Sequence, residues 1–143
     1  MARVFLCALI LASVTLTGFS GPASAETFKR DDYLDVTARK KLPPATKGSP
    51  LAALAAYIAT MAYLDGDAIT AEVLADEDGR RVFRIDLICK SAEQCGDDSV
   101  ASTREALELK KGTDGGWTVV WAGSQSICHE GRGHQDWSKA LCK

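Results

Sequence analysis

The sequence predicts an α+β domain in which one main helix packs on a four-stranded antiparallel sheet, with two disulfides and a short C-terminal helix. Three observations support this fold class. A single segment has apolar residues at helical spacing, four later segments alternate apolar and polar residues, and four cysteines follow the amino-terminal segment. One helix followed by four sequential strands is the order of an α+β roll, in which a curled sheet wraps the helix.

The first 25 residues have the pattern of a secretion signal peptide. Arg3 precedes an uncharged apolar stretch from Val4 to Leu16, and Ala23-Ser24-Ala25 offers a cleavage site before Glu26. The apolar stretch is shorter than the about 20 residues that a membrane-spanning helix needs. We therefore expect a periplasmic or secreted protein without a stable membrane span, and a single small α+β domain over residues 26–143.

The charge balance argues against a nucleic-acid partner. Without Arg3 the chain keeps 16 of its 17 Lys and Arg residues against 19 Asp and Glu, which gives a formal charge of -3. A nucleic-acid binder would carry a clustered basic excess. The remaining 118 residues, which are 143 minus 25, suit one domain.

Four cysteines outside the signal segment predict two disulfides in an oxidising compartment. They are Cys89, Cys95, Cys128 and Cys142. Three pairings are possible; we favour Cys89 with Cys95 and Cys128 with Cys142, because each would close a local loop. The alternative, four zinc thiolates, lacks any C-x-x-C spacing.

The predicted helix begins after Ser49, a good N-cap, with Pro50 in its first turn, and it ends before Asp65 and Gly66. Its length of about 14 residues and its Ala-rich surface indicate close packing against a sheet. The apolar positions at helical spacing are Leu51, Leu54, Ala55, Ile58, Met61 and Ala62.

Two hairpins follow the helix. The first has apolar residues at alternate positions from Ile69 to Ala75, a turn at Asp76–Gly79, and a returning strand from Phe83 to Cys89. The arms of the second are Arg104–Lys111 and Trp117–Gly123. Alternation places Trp117, Val119 and Trp121 on one face, which we expect to be buried in the core.

This order of elements, from Pro50 to Gly123, resembles that of the cystatin-like rolls, and two late disulfides also suit the cystatin pattern. The cystatin protease-binding motif Gln-x-Val-x-Gly is absent from the chain. The resemblance therefore implies a fold and carries no implication of protease inhibition.

Both histidines fall in the tail between Cys128 and Trp137, which contains the candidate site residues. Arg132, with its forked charge between two glycines, suits capture of an anion or carboxylate. The candidate ligand-binding residues are Arg132, His134, His129 and Trp137. A metal site or an acid/base site would instead use His129, Glu130, His134 and Asp136, although a separation of five residues turns the two imidazoles to opposite sides of a strand.

These features predict an exported small binding or interaction protein, whose partner is an unknown protein or a small polar ligand. The binding surface would be the sheet face or the disulfide-closed C-terminal loop. A metal-assisted or acid/base enzyme and a structural envelope protein are the alternatives. A serine hydrolase would need a nucleophile such as Ser124 or Ser126, but the Gly-x-Ser-x-Gly motif is absent, so we predict no catalytic residues and no cofactor.

Overall fold

The described residues of the chain form one α-helix and a five-stranded antiparallel sheet, which confirms the α+β class. The structure, a computed structural model, describes residues 28–61, 68–88 and 98–143. The expected signal peptide and the predicted Cys89–Cys95 disulfide lie outside the described residues. The elements are β1 (Leu34–Asp35), α1 (Pro50–Ile58), β2 (Ala68–Glu77), β3 (Arg80–Ile88), β4 (Val100–Lys111) and β5 (Trp117–Cys128), and the strand order across the sheet is β1-β5-β4-β3-β2.

The prediction of four strands was short by one, because β1 pairs with the outer edge of β5. Leu34 lies opposite Ser124, and Asp35 lies opposite Gly123. Tertiary hydrogen bonds hold this two-residue strand: the Thr37 hydroxyl accepts from the Ala122 amide at 3.0 Å, and the Val36 amide donates to the Ala122 carbonyl at 3.0 Å. Two residues are too few to show a periodicity of two, so the sequence pattern could not reveal this strand.

Helix α1 begins as predicted and ends earlier. The Ser49 side chain accepts a hydrogen bond from the Ala52 amide, and Pro50 occupies the first turn. After Ile58 the Thr60 and Met61 amides bond three residues back, and the Thr60 hydroxyl also donates to the Tyr57 carbonyl at 2.7 Å. Within the described residues, no helix has the length and apolar character to cross a membrane.

The two faces of the sheet have different chemistry. One face, here called the helix face, packs against α1 and carries the apolar core. The opposite face, here called the polar face, carries a row of ionic side chains on the central strands. Buried core residues on the helix face side are Val36, Ala53, Leu54, Tyr57, Phe83, Ile85, Leu107, Leu109, Trp117, Val119 and Ala122. The ionic residues of the polar face are Arg80, Arg84, Asp86, Arg104 and Glu108.

A register shift in β5 overturns the prediction that Trp117, Val119 and Trp121 share one face. Val119 pairs with Leu109, whereas Trp121 pairs with Glu108, so Val120 is an extra residue in the ladder. The bulge leaves Trp117 and Val119 on the helix face and turns Trp121 to the polar face. Both tryptophans are nevertheless buried.

The Cys128–Cys142 disulfide forms as predicted, with its Cα atoms 5.5 Å apart. The predicted C-terminal helix is wrong: residues 129–143 form turns, bends and one bridge between Ser126 and Ser138. Gly131 and Gly133 have φ values of 76° and 144°, outside the helical region. The disulfide and the bridge hold the segment against β5.

Candidate functional site

The tail loop, residues 128–143, is organised by backbone hydrogen bonds rather than by secondary structure. The Cys128 amide donates to the His134 carbonyl at 3.0 Å, and the Lys143 amide donates to the Arg132 carbonyl at 2.8 Å. The Gln135 side-chain amide donates to the Cys128 carbonyl at 3.1 Å. Together with the disulfide, these bonds make the loop a folded unit.

His134 lies inside the tail loop with a carbonyl oxygen at each ring nitrogen. Its Nδ1 is 2.9 Å from the Asp136 carbonyl oxygen, and its Nε2 is 3.0 Å from the Ala140 carbonyl oxygen. A neutral imidazole has one N–H and donates to only one of these acceptors, whereas an imidazolium donates to both. The ring therefore lies between two turns of the loop.

Arg132 and His129 contact the two residues that precede β4. The Arg132 guanidinium contacts the Asp98 carboxylate at 2.9 Å, and the two side chains are 43% and 80% exposed. An ion pair this exposed contributes about 0–1 kcal/mol, so it leaves Arg132 available to another anion. His129 is half-buried, and its backbone amide donates to the Ser99 carbonyl.

Trp137 docks the tail loop onto the polar face of the sheet. The Arg104 guanidinium lies over its ring, 4.2 Å from the centroid. Arg104 also donates two hydrogen bonds to Asp86, at 2.7 and 2.9 Å. The indole thus covers a fixed cation, and it stays half-exposed to solvent.

The predicted metal or acid/base set of His129, Glu130, His134 and Asp136 does not converge as a group in the part of the chain that the structure describes. His134 contacts the backbone of Asp136 rather than its carboxylate. The structure instead brings His134 together with Cys128 and Cys142.

One buried carboxylate and two arginines form a cluster on the polar face, here called the Glu108 cluster, which was not predicted from the sequence. Glu108 accepts hydrogen bonds from Arg30 at 2.7 Å and pairs with Arg80 at 3.1 Å. Burial raises the pKa of Glu108, but the hydrogen bonds and charges of the two arginines outweigh it, so the pKa lies below its ordinary value. The hydrogen bond to Glu108 also favours the charged form of Arg80 and so raises the pKa of Arg80. The sequence carries no regular signal for this cluster, because Val82 and Ala106 interrupt the charged positions of the polar face and Arg30 lies 78 positions from Glu108.

Aromatic side chains of the N-terminal segment pack on Trp121, which pairs with Glu108 in the sheet. The rings of Phe28 and Tyr33 meet Trp121 with centroids 5.8 and 6.2 Å away, and the Arg30 guanidinium lies 5.2 Å from the Trp121 centroid. The segment is also joined to the tail loop, because Lys139 donates to the Asp31 carbonyl at 2.6 Å.

A second buried carboxylate lies on the helix face. Glu105 accepts a hydrogen bond from the Tyr57 hydroxyl at 2.6 Å and from the Lys40 ammonium at 2.5 Å. Burial and the adjacent Glu105 charge raise the pKa of Tyr57 far above its usual value, which keeps the hydroxyl protonated and donating. This arrangement satisfies a buried charge and fixes α1 on the sheet.

The two outer edges of the sheet differ in their backbone pairing. Along β5, the outer edge meets β1, Thr46 and Ser138. Along β2, no described residue pairs with the outer edge. Residues 70–73 of this strand are exposed in succession, and Val73 is 50% exposed. The β2 edge is therefore a row of backbone donors and acceptors beside an exposed, partly apolar surface.

A comparison of the chain with protein-family models, with curated proteins and with solved structures found no match.

Proposed function

We propose that this chain is an exported binding protein that takes an extended segment of a partner protein along the outer edge of β2. The observation that carries the proposal is the contrast between a β5 edge met by three separate segments and a ten-residue β2 edge with no described partner. Exposed edges of this length pair readily with other strands. Export is supported by the signal-like segment and by the Cys128–Cys142 disulfide.

The composition of β2 supports a strand-accepting role. The strand contains neither lysine nor proline, the residues that commonly protect an edge from pairing. A bulge between Val73 and Ala75 twists one part of it and leaves the first six residues in regular register with β3. Main-chain hydrogen bonds along this stretch would supply affinity, and side-chain contacts would supply specificity.

The charge of β2 indicates what kind of segment it accepts. Glu72, Asp76 and Glu77 are its charged residues, and each already contacts one arginine of β3. All three carboxylates remain more than half exposed, so each has room for a second cation. We therefore expect a partner segment with lysine or arginine at some of its positions, which would meet these carboxylates.

Site-specific photo-crosslinking tests this assignment. A photoreactive amino acid placed at Val73 should form an adduct with the partner in the native extracellular fraction. Matched exposed positions are Leu51 on α1 and Leu141 in the tail loop, which are 61% and 77% exposed. Adducts at Val73 but not at Leu51 or Leu141 are the expected result, and adducts between two copies of the chain would identify the chain itself as the partner.

An edge-blocking variant provides the second arm of the experiment. Val73→Lys places a charge on an exposed edge and is expected to change the free energy of unfolding by no more than about 0.5 kcal/mol. It should abolish the adduct formed by a crosslinker placed at Thr70. Retention of the same adduct in Val73→Lys, or adducts confined to Leu141, would contradict binding at the β2 edge.

A second candidate surface is the tail loop, through Arg132, His134, His129 and Trp137. The exposed Arg132–Asp98 pair favours it, because exchanging Asp98 for the carboxylate of a ligand costs little. In this alternative, Arg132→Gln should weaken partner capture at least tenfold, whereas Val73→Lys should leave it unchanged.

A further inference from the structure

The sulfur atoms of Cys128 and Cys142 lie beside the imidazole of His134. One potential ligand atom from each of the three residues lies within 4.8 Å of the others. Cys128 is buried, while His134 and Cys142 are half-buried, so the three atoms meet close to solvent. Two thiolates and an imidazole nitrogen form a donor set that suits soft d10 ions, of which Zn²⁺ is the common biological example.

We propose that reduction of the Cys128–Cys142 disulfide converts this cluster into a metal site in which Cys128, Cys142 and His134 bind Zn²⁺. In the oxidised chain the two sulfurs are bonded to each other and no thiolate exists. A phosphine reductant supplies two electrons to the S–S bond and becomes a phosphine oxide with the oxygen of water, while the protons of that water yield two thiols. Zn²⁺ then binds the two sulfurs as thiolates and releases both protons.

The fold of the tail loop holds the three ligands together by bonds that do not depend on the disulfide. The Cys128 amide donates to the His134 carbonyl, which couples the backbones of two ligands. The Ser126–Ser138 bridge fixes the returning segment that carries Cys142. Gly133 lies against the sulfur: a Cβ atom there would be 2.8 Å from the Cys128 Sγ atom, so the absence of a side chain leaves space beside it.

The surroundings of the cluster supply the outer hydrogen bonds that metal ligands use. Metal-bound histidines typically donate their second ring N–H to a carbonyl or carboxylate. His134 has a carbonyl at each ring nitrogen, so the nitrogen that binds the ion gives up its carbonyl contact and the other nitrogen keeps an acceptor. The Ser126 hydroxyl lies 3.8 Å from the Cys142 Sγ atom, where it can donate to a thiolate. Three protein ligands leave a fourth position for water.

The test is a metal titration of the reduced chain without its signal segment, performed without oxygen and after removal of the phosphine. A Cys89→Ser, Cys95→Ser background restricts the reading to the thiols of the tail loop. Cd²⁺ serves as the spectroscopic probe, because its bonds to thiolates produce a charge-transfer absorption, and Zn²⁺ is then added as the competitor. We expect one Cd²⁺ per reduced chain, displacement by Zn²⁺, and no charge-transfer band in the oxidised chain.

The two histidines of the tail loop provide a matched pair of variants. His134→Ala should weaken Cd²⁺ and Zn²⁺ binding at least tenfold, a loss of the size seen when a residue supporting a metal ligand is removed. His129→Ala should bind as the parent does, because His129 is not part of the cluster. Should the serine background fail to fold, the two histidine variants are compared in the chain with all its cysteines, where the same difference in affinity is expected.

Three results would overturn the proposal. They are the absence of metal binding by the reduced chain, equal affinities of His134→Ala and His129→Ala, and stoichiometric binding by the oxidised chain. Equal affinities would mean that the thiols bind metal without the fold, since an unfolded tail has no preference between the two imidazoles.

Discussion

At the scale of single residues, Glu108 places a buried charge on the polar face. Its side chain is 4% exposed and pairs with Arg30 and Arg80. A buried carboxylate in such a cluster contributes stability only while it is ionised, because the hydrogen bonds that it accepts depend on its charge.

Glu108→Gln is expected to lower the free energy of unfolding by about 1.5–3 kcal/mol at neutral pH, the range for hydrogen bonds to charged groups. The pKa of Glu108 is depressed from 4.5 in the folded chain. Its contribution to the free energy of unfolding is therefore complete above pH 4.5 and is lost as the pH falls through the folded-state pKa. Urea unfolding of both proteins from pH 7 to pH 3 should show the difference disappearing at the acidic end.

Glu77→Gln is the matched control for that experiment. Glu77 contacts the same Arg80, but its side chain is 63% exposed. We expect a change below about 0.5 kcal/mol. A loss as large as that of Glu108→Gln would show that burial is not the reason for the strength of the Glu108 cluster.

Tyr57 provides the second prediction at this scale. Tyr57→Phe removes the hydroxyl that donates to the buried Glu105 carboxylate, and it should cost about 1.5–3 kcal/mol in the free energy of unfolding. A double-mutant cycle with Glu105→Gln measures the coupling. We expect the two effects to be non-additive, because both changes remove the same bond. Simple additivity would argue against a bond between Tyr57 and Glu105.

At the scale of elements, the N-terminal segment depends on one glycine of β5. A Cβ atom on Gly123 would lie 2.2 Å from the Trp121 ring and 2.7 Å from the Tyr33 Cβ atom. Both neighbours are held in place, since Trp121 donates to Asp35 through its ring nitrogen at 3.1 Å and β1 pairs with β5 directly beside it. The aromatic cluster therefore has little freedom to move away.

Gly123→Ala should destabilise the fold by about 1–3 kcal/mol through overpacking and should alter the near-ultraviolet circular dichroism of the buried tryptophan. Gly116→Ala is the control, because there the close neighbour is the Asp114 carboxylate at 3.3 Å on a side chain that can turn. An unchanged aromatic spectrum in Gly123→Ala would mean that the N-terminal segment does not pack on Trp121 as described.

At the scale of the whole molecule, the tail loop joins parts of the chain that are far apart in sequence. Trp137 covers Arg104 of β4, Lys139 binds the backbone of Asp31, and Ser138 bridges to β5. The Cys128–Cys142 disulfide closes the loop that carries these contacts. Opening it should therefore lower the stability of the whole domain, because the unfolded chain gains conformational entropy.

Replacement of both cysteines of this pair by serine is expected to lower the free energy of unfolding by about 3 kcal/mol, the loop-entropy value for a closure of this length. Thermal unfolding followed by far- and near-ultraviolet circular dichroism should show one transition, shifted to lower temperature. An early transition confined to the tail, with an unshifted main transition, would show that the loop contributes nothing to the domain.

The sequence determined the class of fold, the start of the helix, the two hairpins and the Cys128–Cys142 disulfide. Each of these follows from local chemistry: the Ser49–Pro50 cap, alternation of apolar residues, turn residues, and two cysteines 14 positions apart. Such signals involve residues close together in the chain, and periodicity or turn preference reports them directly.

Only the tertiary structure decided the facing of Trp121, the pairing of β1 and the surroundings of the tail residues. One bulge at Val120 reverses every side chain that follows it, and no local preference announces a bulge. Glu108 meets Arg30 across 78 positions, and β1 meets β5 across a similar interval. His134 likewise meets two carbonyls and two sulfurs only after the loop has closed. Contacts of this kind are set by the packing of the whole chain, because they form between residues whose own sequence neighbourhoods carry no trace of each other.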